Sequence, residues 1–376
     1  MMGLLAGFGF VLFYSVLGIP VARLADRLNR RNIVAVAFAF WSTMTALCGL
    51  AQGFTTLALA RIGVGLGESA GTPASQSLVA DLFGKDDRPR ALGIFALGTY
   101  LGVFLGYFVG GWVNQHFGWR TAFMCAGLPG LALAAVLWLT VREPARGGLD
   151  GSLPTAARDG FGPTLAFLLS QKSYALMLIG FCLTSYTNYA TSAWIPPFLA
   201  RVHHLSSLEV GTYAGTFKGL FGMAGTLTGG VVVGWLGRRD DRWKLWAPAV
   251  MSALAGPVFA FCMLTADFAT MIVALGLTSF LVGFHLGPIF AIAQTVARPA
   301  MRALASALVL LTATCLGQGV GPLVVGMITD ALNADYGADA IRYGLLTAAL
   351  TSTLGALLFA AAAPFVRRDI ARAAMA

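Results

Sequence analysis

Ala22-Arg23-Leu24-Ala25-Asp26-Arg27-Leu28-Asn29-Arg30-Arg31 and Gly230-Val231-Val232-Val233-Gly234-Trp235-Leu236-Gly237-Arg238-Arg239 begin 208 positions apart and share one design. Each falls where one long apolar segment ends and the next begins. A small residue, Ala22 or Gly230, stands four positions before the place of an acid, and a basic cluster follows. The small residue lets two helices approach closely, and the basic cluster holds the turn on the cytoplasmic side of a membrane. In the first copy the acid is Asp26, followed by Arg27, Arg30 and Arg31; in the second, Gly234 takes the acid's place ahead of Arg238 and Arg239. Such a duplication predicts two related helical halves.

Composition points the same way. With 57% hydrophobic and 11% charged residues, and a mean hydropathy of +0.77, the chain has too little polar surface to cover a soluble globule. A spanning helix needs about 20 residues to cross the hydrocarbon. Eleven apolar runs meet that need: 3–24, 33–51, 55–80, 91–113, 121–141, 173–199, 207–236, 245–264, 269–293, 303–328 and 343–366. The expected fold class is an all-α membrane protein.

The net charge of +9 would suggest nucleic acid in a soluble protein, but its distribution follows topology instead. Alternate loops carry Arg23, Arg27, Arg30 and Arg31; Lys85, Arg88 and Arg90; Arg142, Arg146, Arg158 and Lys172; Arg238, Arg239, Arg242 and Lys244; Arg298 and Arg302; and a tail with Arg367, Arg368 and Arg372. The intervening loops hold Arg120, Arg201 and Arg342. This positive-inside pattern places the rich loops and the C-terminus in the cytoplasm. Cys48, Cys125, Cys182, Cys262 and Cys315 all lie in spans without metal-ligand or redox spacing and are expected to act as small packing residues. No nucleotide-binding or nucleophile motif occurs, so no enzymatic activity, cofactor or metal is expected.

A turn-rich stretch divides the chain into an N-terminal bundle, 1–141, a cytoplasmic linker, 142–172, and a C-terminal bundle, 173–376. The linker opens with Arg142-Glu143-Pro144, and its last part, 161–169, is expected to form a short interfacial helix. Six spans follow the linker and five precede it. Applied to the run 173–199, the 208-residue offset puts its counterpart before Met1. The reading is that a first helix is missing, because the start codon is set too far downstream, because the gene is a fragment, or because the protein has eleven helices; DNA upstream of Met1 would decide.

The two loop signatures resemble the loop motif of the major facilitator superfamily. Within it, Arg61-Ile62-Gly63-Val64-Gly65-Leu66-Gly67-Glu68-Ser69 followed by Ala80-Asp81-Leu82-Phe83, and Arg302-Ala303-x-Ala305-Ser306-Ala307 leading to Gly319-x-Gly321-Pro322, look like the Spinster-like branch. Gly118-Trp119-Arg120-x-Ala122-Phe123 is shared more widely across the superfamily. The resemblance implies two helical bundles with alternating access to a site between them, the eleven spans being helices 2 to 12 of the usual twelve. It also implies proton-linked or otherwise secondary transport of lipid-like amphiphiles, with a proton-sensitive acid seven residues after an arginine, here Glu68 after Arg61. The family's acid on helix 1 has no position in this sequence.

Read from the residues alone, Glu68 is the one carboxylate well inside a predicted span, roughly 21 Å from the start of its helix. Two roles are open: protonation coupled to opening and closing, or a permanently protonated acid that glues helices together. Arg61, two turns earlier on the same face, is either its counter-charge and an anion ligand or a structural arginine snorkelling to the interface. Lys218, amid Gly215, Gly219, Gly222 and Gly225, must face water or a carboxylate, and is a candidate for holding an anionic substrate. His285, beside Gly287-Pro288, is either a proton relay or substrate contact, or a satisfied core histidine. The polar run from Thr184 to Tyr189 cannot all face lipid, which makes Tyr186, Asn188 and Tyr189 candidate substrate contacts. Gly98, Gly102, Gly106, Gly110 and Gly111 predict a flat packing strip.

The expectation is a secondary transporter of an amphiphilic or organic anion, coupled to protons at Glu68, with Asp26, Arg27, Arg30, Arg31, Arg238 and Arg239 as gating residues. Multidrug efflux, and a non-transporting sensor or inactive fragment, are the alternatives. The partners expected are a small-molecule or lipid-like substrate, protons and membrane lipids, with no nucleic acid. The protein is expected as a monomer in a plasma membrane, the bacterial inner membrane.

Overall fold

The computed structural model describes residues 29–83, 88–144, 161–298 and 301–375, and among these it contains helices and no strand. The predicted span 3–24 and the motif residues Ala22, Asp26 and Arg27 lie outside the described residues. Six helical segments are long and apolar enough to cross a membrane, and two of them, Ile94–Thr140 with 47 residues and Leu304–Ala374 with 71, far exceed the roughly 20 residues of one crossing. Each of these two is long enough to cross more than once.

The elements are α1 (Arg30–Gly49), α2 (Phe54–Leu82), α3 (Arg88–Thr140), α4 (Phe161–Ser170), α5 (Lys172–Val202), α6 (Ser207–Gly237), α7 (Trp243–Leu264), α8 (Phe268–Gly283), α9 (Leu286–Thr295), α10 (302–336), α11 (Ala340–Ala362) and α12 (Val366–Met375). The short helix expected over 161–169 forms as α4, and α5 leaves it at 90°. The runs 91–113 and 121–141 lie on two helices of α3 that meet at a kink at Gly118, with φ +81°. That backbone conformation is open to glycine and costly for other residues. Two helices carry π-helical turns, Thr216–Phe221 in α6 and Ala313–Gln318 in α10.

The described residues form two compact units. One contains α1 to α3 together with 205–215, so it includes the first part of α6; the other contains α4, α5 and the chain from Thr216 onward. In the first unit α1 is the central helix, and glycines on both neighbours set its spacing. A methyl on Gly67 of α2 would lie 2.9 Å from the Trp41 backbone nitrogen and 3.1 Å from the Ala37 oxygen. One on Gly127 of α3 would lie 2.6 Å from both the Ser42 oxygen and the Ala46 nitrogen. Backbones this close gain dispersion contacts that lipid tails cannot supply.

Of the glycine strip predicted on α3, Gly111 makes a close packing contact. Among the described residues, a side chain at Gly98, Gly102, Gly106 or Gly110 would meet nothing within 4 Å. Packing against 205–215 runs through Phe104, Tyr107 and Gly111, with a methyl on Gly111 only 2.5 Å from the Ser207 oxygen. Positions 104, 107 and 111 share one face of the helix.

In the second unit α11 is the central helix, between α5 and α7, with Leu345, Ala348, Phe359 and Ala362 fully buried. Gly180 and Gly355 bring α5 against α11, while Gly225, Gly229 and Gly283 bring α6 against α8. A methyl on Gly225 would collide with the Phe280 carbonyl oxygen, and backbone cannot swing aside. Gly225→Ala is expected to cost about 3 kcal/mol as an overpacking defect, read as a lowered midpoint of thermal unfolding in detergent.

Large apolar side chains remain outward, with Val231 73%, Leu139 72% and Val273 71% exposed. Such surface is a liability in water and the natural partner of lipid. Cys125 is also exposed, unlike the buried Cys48 and Cys262, so its packing role is not the interior one expected.

Candidate functional site

In the first unit Arg61 and Glu68 stand two turns apart on one face of α2. Gly63, Gly67 and Gly71 press the neighbouring face onto Met44 and Trp41 of α1. Glu68 is exposed and Arg61 half-buried. Glu68 has no hydrogen-bond partner among the described residues, while the charge of Arg61 acts on it. A carboxylate at mid-helix that is open to its surroundings is compatible with an internal aqueous space and not with lipid.

At the start of α1, Arg30 is the centre of an ion cluster. Its side chain is 4% exposed; Nη1 donates to Asp81 Oδ2 at 2.5 Å, and Nε donates to Glu143 Oε1 at 2.9 Å. The Arg31 backbone N–H donates to Glu143 Oε2 at 2.8 Å. The cluster ties the N-terminus of α1 to the end of α2 and to the segment leaving α3. Burial pushes the Glu143 carboxyl up, but the Arg31 N–H and the Arg30 guanidinium outweigh it and hold the group below the usual carboxylate range. Asp81 and Glu143 both lie in stretches the sequence marked, Ala80-Asp81-Leu82-Phe83 and Arg142-Glu143-Pro144, yet nothing in one sequence joins either to Arg30.

The second copy of the motif is built differently. Arg238 is exposed and without an ion pair among the described residues, and the Arg239 guanidinium stacks 4.3 Å from the Trp235 ring centre. The acid that pairs lies downstream: Asp240 meets Arg367 at 3.0 Å.

The polar midsection of α5 is a junction within the second unit. Tyr186 is buried and its hydroxyl shares a hydrogen bond with Thr347 of α11 at 2.7 Å; the Thr187 hydroxyl donates to the Ala348 carbonyl at 2.9 Å. Ser185 and Tyr189 pack against Gly317 in the π turn of α10. Asn188 is exposed and faces the π turn of α6, where Lys218 Nζ donates to the Thr191 hydroxyl at 2.6 Å and to the Asn188 carbonyl and side-chain oxygens at 3.2 and 3.4 Å. Both π turns thus meet α5 at this polar run, and such turns often mark functional positions.

Of the three residues expected to contact substrate, Asn188 joins Lys218, Tyr189 is half-buried beside Gly317, and Tyr186 is engaged by α11. Thr191 was missed, although it lies one turn beyond Asn188 on the same face. His285 is 4% exposed, with Phe181 at 5.7 Å and Phe359 at 6.2 Å between ring centres, and its Nδ1 has no hydrogen-bond partner. It stands apart from the Lys218 hydrogen bonds. Among the described residues, no group of three or more His, Cys, Asp or Glu gathers closely enough to hold a metal.

Paired helical units, glycine-mediated packing and charged groups at mid-helix define a multi-pass membrane transporter. The model for the Major Facilitator Superfamily matches residues 1–322. An MFS-type efflux pump of Mycolicibacterium smegmatis is 34% identical over 371 residues, covering 98% of this chain and 85% of that protein. Human protein spinster homolog 1 is 28% identical over 395 residues, covering 97% and 74%. A sphingosine-1-phosphate transporter of Danio rerio is 28% identical over 390 residues, covering 97% and 77%. A crystal structure of a bacterial homolog of the human lysosomal transporter Spinster matches with a TM-score of 0.85 at 26% identity, covering 98% of this chain and 90% of that one. The chain belongs to the major facilitator superfamily, in its Spinster-like branch.

Proposed function

We propose that the protein is a secondary active transporter working by alternating access, which moves an amphiphilic, lipid-like or organic anion and couples to protons at Glu68, with Arg61 as its counter-charge. The observation that carries the anion reading is the Lys218 ammonium, held by three neutral oxygens of Asn188 and Thr191 with no carboxylate in ion-pair range among the described residues. A mid-helix cation left uncompensated in this way favours a negatively charged ligand. The relative named a sphingosine-1-phosphate transporter carries a lipid-like anion by its name, which supports the same class here.

Lys218→Gln keeps hydrogen bonding to Asn188 and Thr191 but removes the charge. Loss of a charge-assisted contact worth about 1.5–3 kcal/mol predicts a rise in half-saturation of roughly tenfold to a hundredfold, with Lys218→Arg retaining part of the affinity. The measurement is uptake of lipid phosphates and sugar acids by proteoliposomes. Unchanged anion transport by Lys218→Gln sinks this reading.

A second reading, export of drug-like compounds, is favoured by the relative named an efflux pump. Under it, extrusion of a dye cation from cells would be unaffected by Lys218→Gln.

The proposed arrangement is an N-terminal bundle 1–141, a cytoplasmic linker 142–172 and a C-terminal bundle 173–376, with a monomer in the inner membrane and the C-terminus inside. An impermeant thiol reagent applied to intact cells should label a cysteine at Gln115 or Asn333 and spare one at Asn29 or Gly148. The reverse pattern overturns the orientation.

A further inference from the structure

The two residues that hold the Lys218 ammonium do so unequally. Thr191 is 5% exposed, and its hydroxyl is fixed twice. It accepts from Lys218 Nζ at 2.6 Å and donates back into its own helix, to the Thr187 carbonyl at 2.8 Å or the Asn188 carbonyl at 3.0 Å. Asn188 is exposed. Its backbone oxygen lies 3.2 Å from Lys218 Nζ and its side-chain oxygen 3.4 Å, the latter beyond the roughly 2.7–3.2 Å of an ordinary N–H···O bond. An ammonium has only hydrogens to offer and no acceptor, and these oxygens take them all.

The π turn of α6 aims the ammonium at α5. Its two phenylalanines face α8 instead, where a methyl on Gly276 would touch Phe221 at 3.5 Å and Phe217 at 3.6 Å. The helix α8 has no ionisable side chain, and α5 has no carboxylate. On α6 itself Glu209 is taken by the Ser206 N–H and hydroxyl, both at 2.8 Å. Among the described residues, these three helices bring no carboxylate to the ammonium. An anionic oxygen bonds an ammonium about twice as strongly as a neutral oxygen does, at about 2.7–2.9 Å. It displaces the weakest of the neutral oxygens, Asn188 Oδ1, and leaves the buried Thr191 bond in place.

We propose that Asn188 and Thr191 have different roles at this site: the Thr191 hydroxyl is a positioning group that fixes the Lys218 ammonium, and the Asn188 side-chain oxygen is a placeholder that one anionic oxygen of the substrate replaces. On this assignment, which rests on the anion reading of Lys218, the ammonium takes a single anionic oxygen, and the neutral amide at position 188 is what leaves it open to the substrate. An aspartate there would sit on the ammonium as a built-in anion and close the site to others.

The test uses the full chain in proteoliposomes, assayed for uptake of sphingosine 1-phosphate, a lipid phosphate, and of galactonate, a sugar acid, with the folding of each variant checked by thermal unfolding. For whichever anion the wild type carries, Asn188→Asp should raise the half-saturation by about tenfold or more, as Lys218→Gln does, because its carboxylate occupies the ammonium. Asn188→Ala should lower it about threefold, the scale of one competing neutral hydrogen bond removed. A merely structural role for Asn188 predicts that both substitutions impair transport alike. Thr191→Val should raise the half-saturation about fivefold at the wild-type maximal rate, and Thr191→Ser should bring it back to within about twofold of the wild type. Wild-type affinity in Asn188→Asp, or a raised half-saturation in Asn188→Ala, overturns the assignment; if Lys218→Gln still weakens the anion, the anion reading survives. Unchanged transport by Lys218→Gln, or no uptake of either anion by the wild type, removes the anion reading and this assignment together. If Asn188→Asp does not fold, Asn188→Ala and the two Thr191 variants decide.

Discussion

Glu68→Gln is expected to abolish uphill accumulation of substrate while leaving binding intact. The amide has the shape and hydrogen-bonding character of the protonated acid, so it holds the protein in the proton-loaded form and removes the cycle of uptake and release on which coupling depends. Counterflow, which exchanges substrate without a net driving force, should continue at about the wild-type rate, whereas accumulation driven by an imposed pH gradient should fall to the level of empty vesicles. Arg61→Ala should shift the pH dependence of transport, because it removes the positive charge that acts on Glu68. If Glu68→Gln accumulates substrate against a gradient with the pH dependence of the wild type, the residue joins helices together and coupling lies elsewhere.

Arg30→Gln should destabilise the first unit by on the order of 3 kcal/mol, the scale for removing one partner of a buried pair. The arginine is 4% exposed and the carboxylates of Asp81 and Glu143 are 16% and 22% exposed, so water can compensate only in part. The pH dependence has a definite sign. Glu143 is held below its ordinary value when folded, so its contribution is full above the unfolded glutamate value of about 4.3 and is lost as pH falls through the lowered folded value. An acid titration of thermal stability should therefore fall more steeply for the wild type than for Arg30→Gln. Parallel curves would show that the Arg30 guanidinium does not hold Glu143 below its ordinary value.

The membrane class, the duplicated halves and the family were legible in the sequence because they rest on one-dimensional quantities: the length of apolar runs, the alternation of charge between loops, and a motif recurring at a fixed offset. The positions of Glu68, Arg61 and Lys218 within apolar runs were legible for the same reason, since a charge is conspicuous against 57% hydrophobic residues. The glycine strip on α3 shows where this kind of reading stops. Four-residue spacing identifies a face, but the helix that covers a face is a three-dimensional fact: among the described residues, Gly111 of that strip meets 205–215, together with Phe104 and Tyr107.

Tertiary structure decided the partners. It joined Arg30 to Asp81 and Glu143, gave Tyr186 to Thr347 while leaving Asn188 and Thr191 to Lys218, and buried His285 among phenylalanines. It also inserted π turns beside the polar run of α5, which no hydrophobic period announces. The apolar pattern determines that a helix forms and lies in lipid, because that depends on transfer of each residue from water. Which charged group meets which depends on distances between segments far apart in the chain, and those distances exist only once the helices have packed.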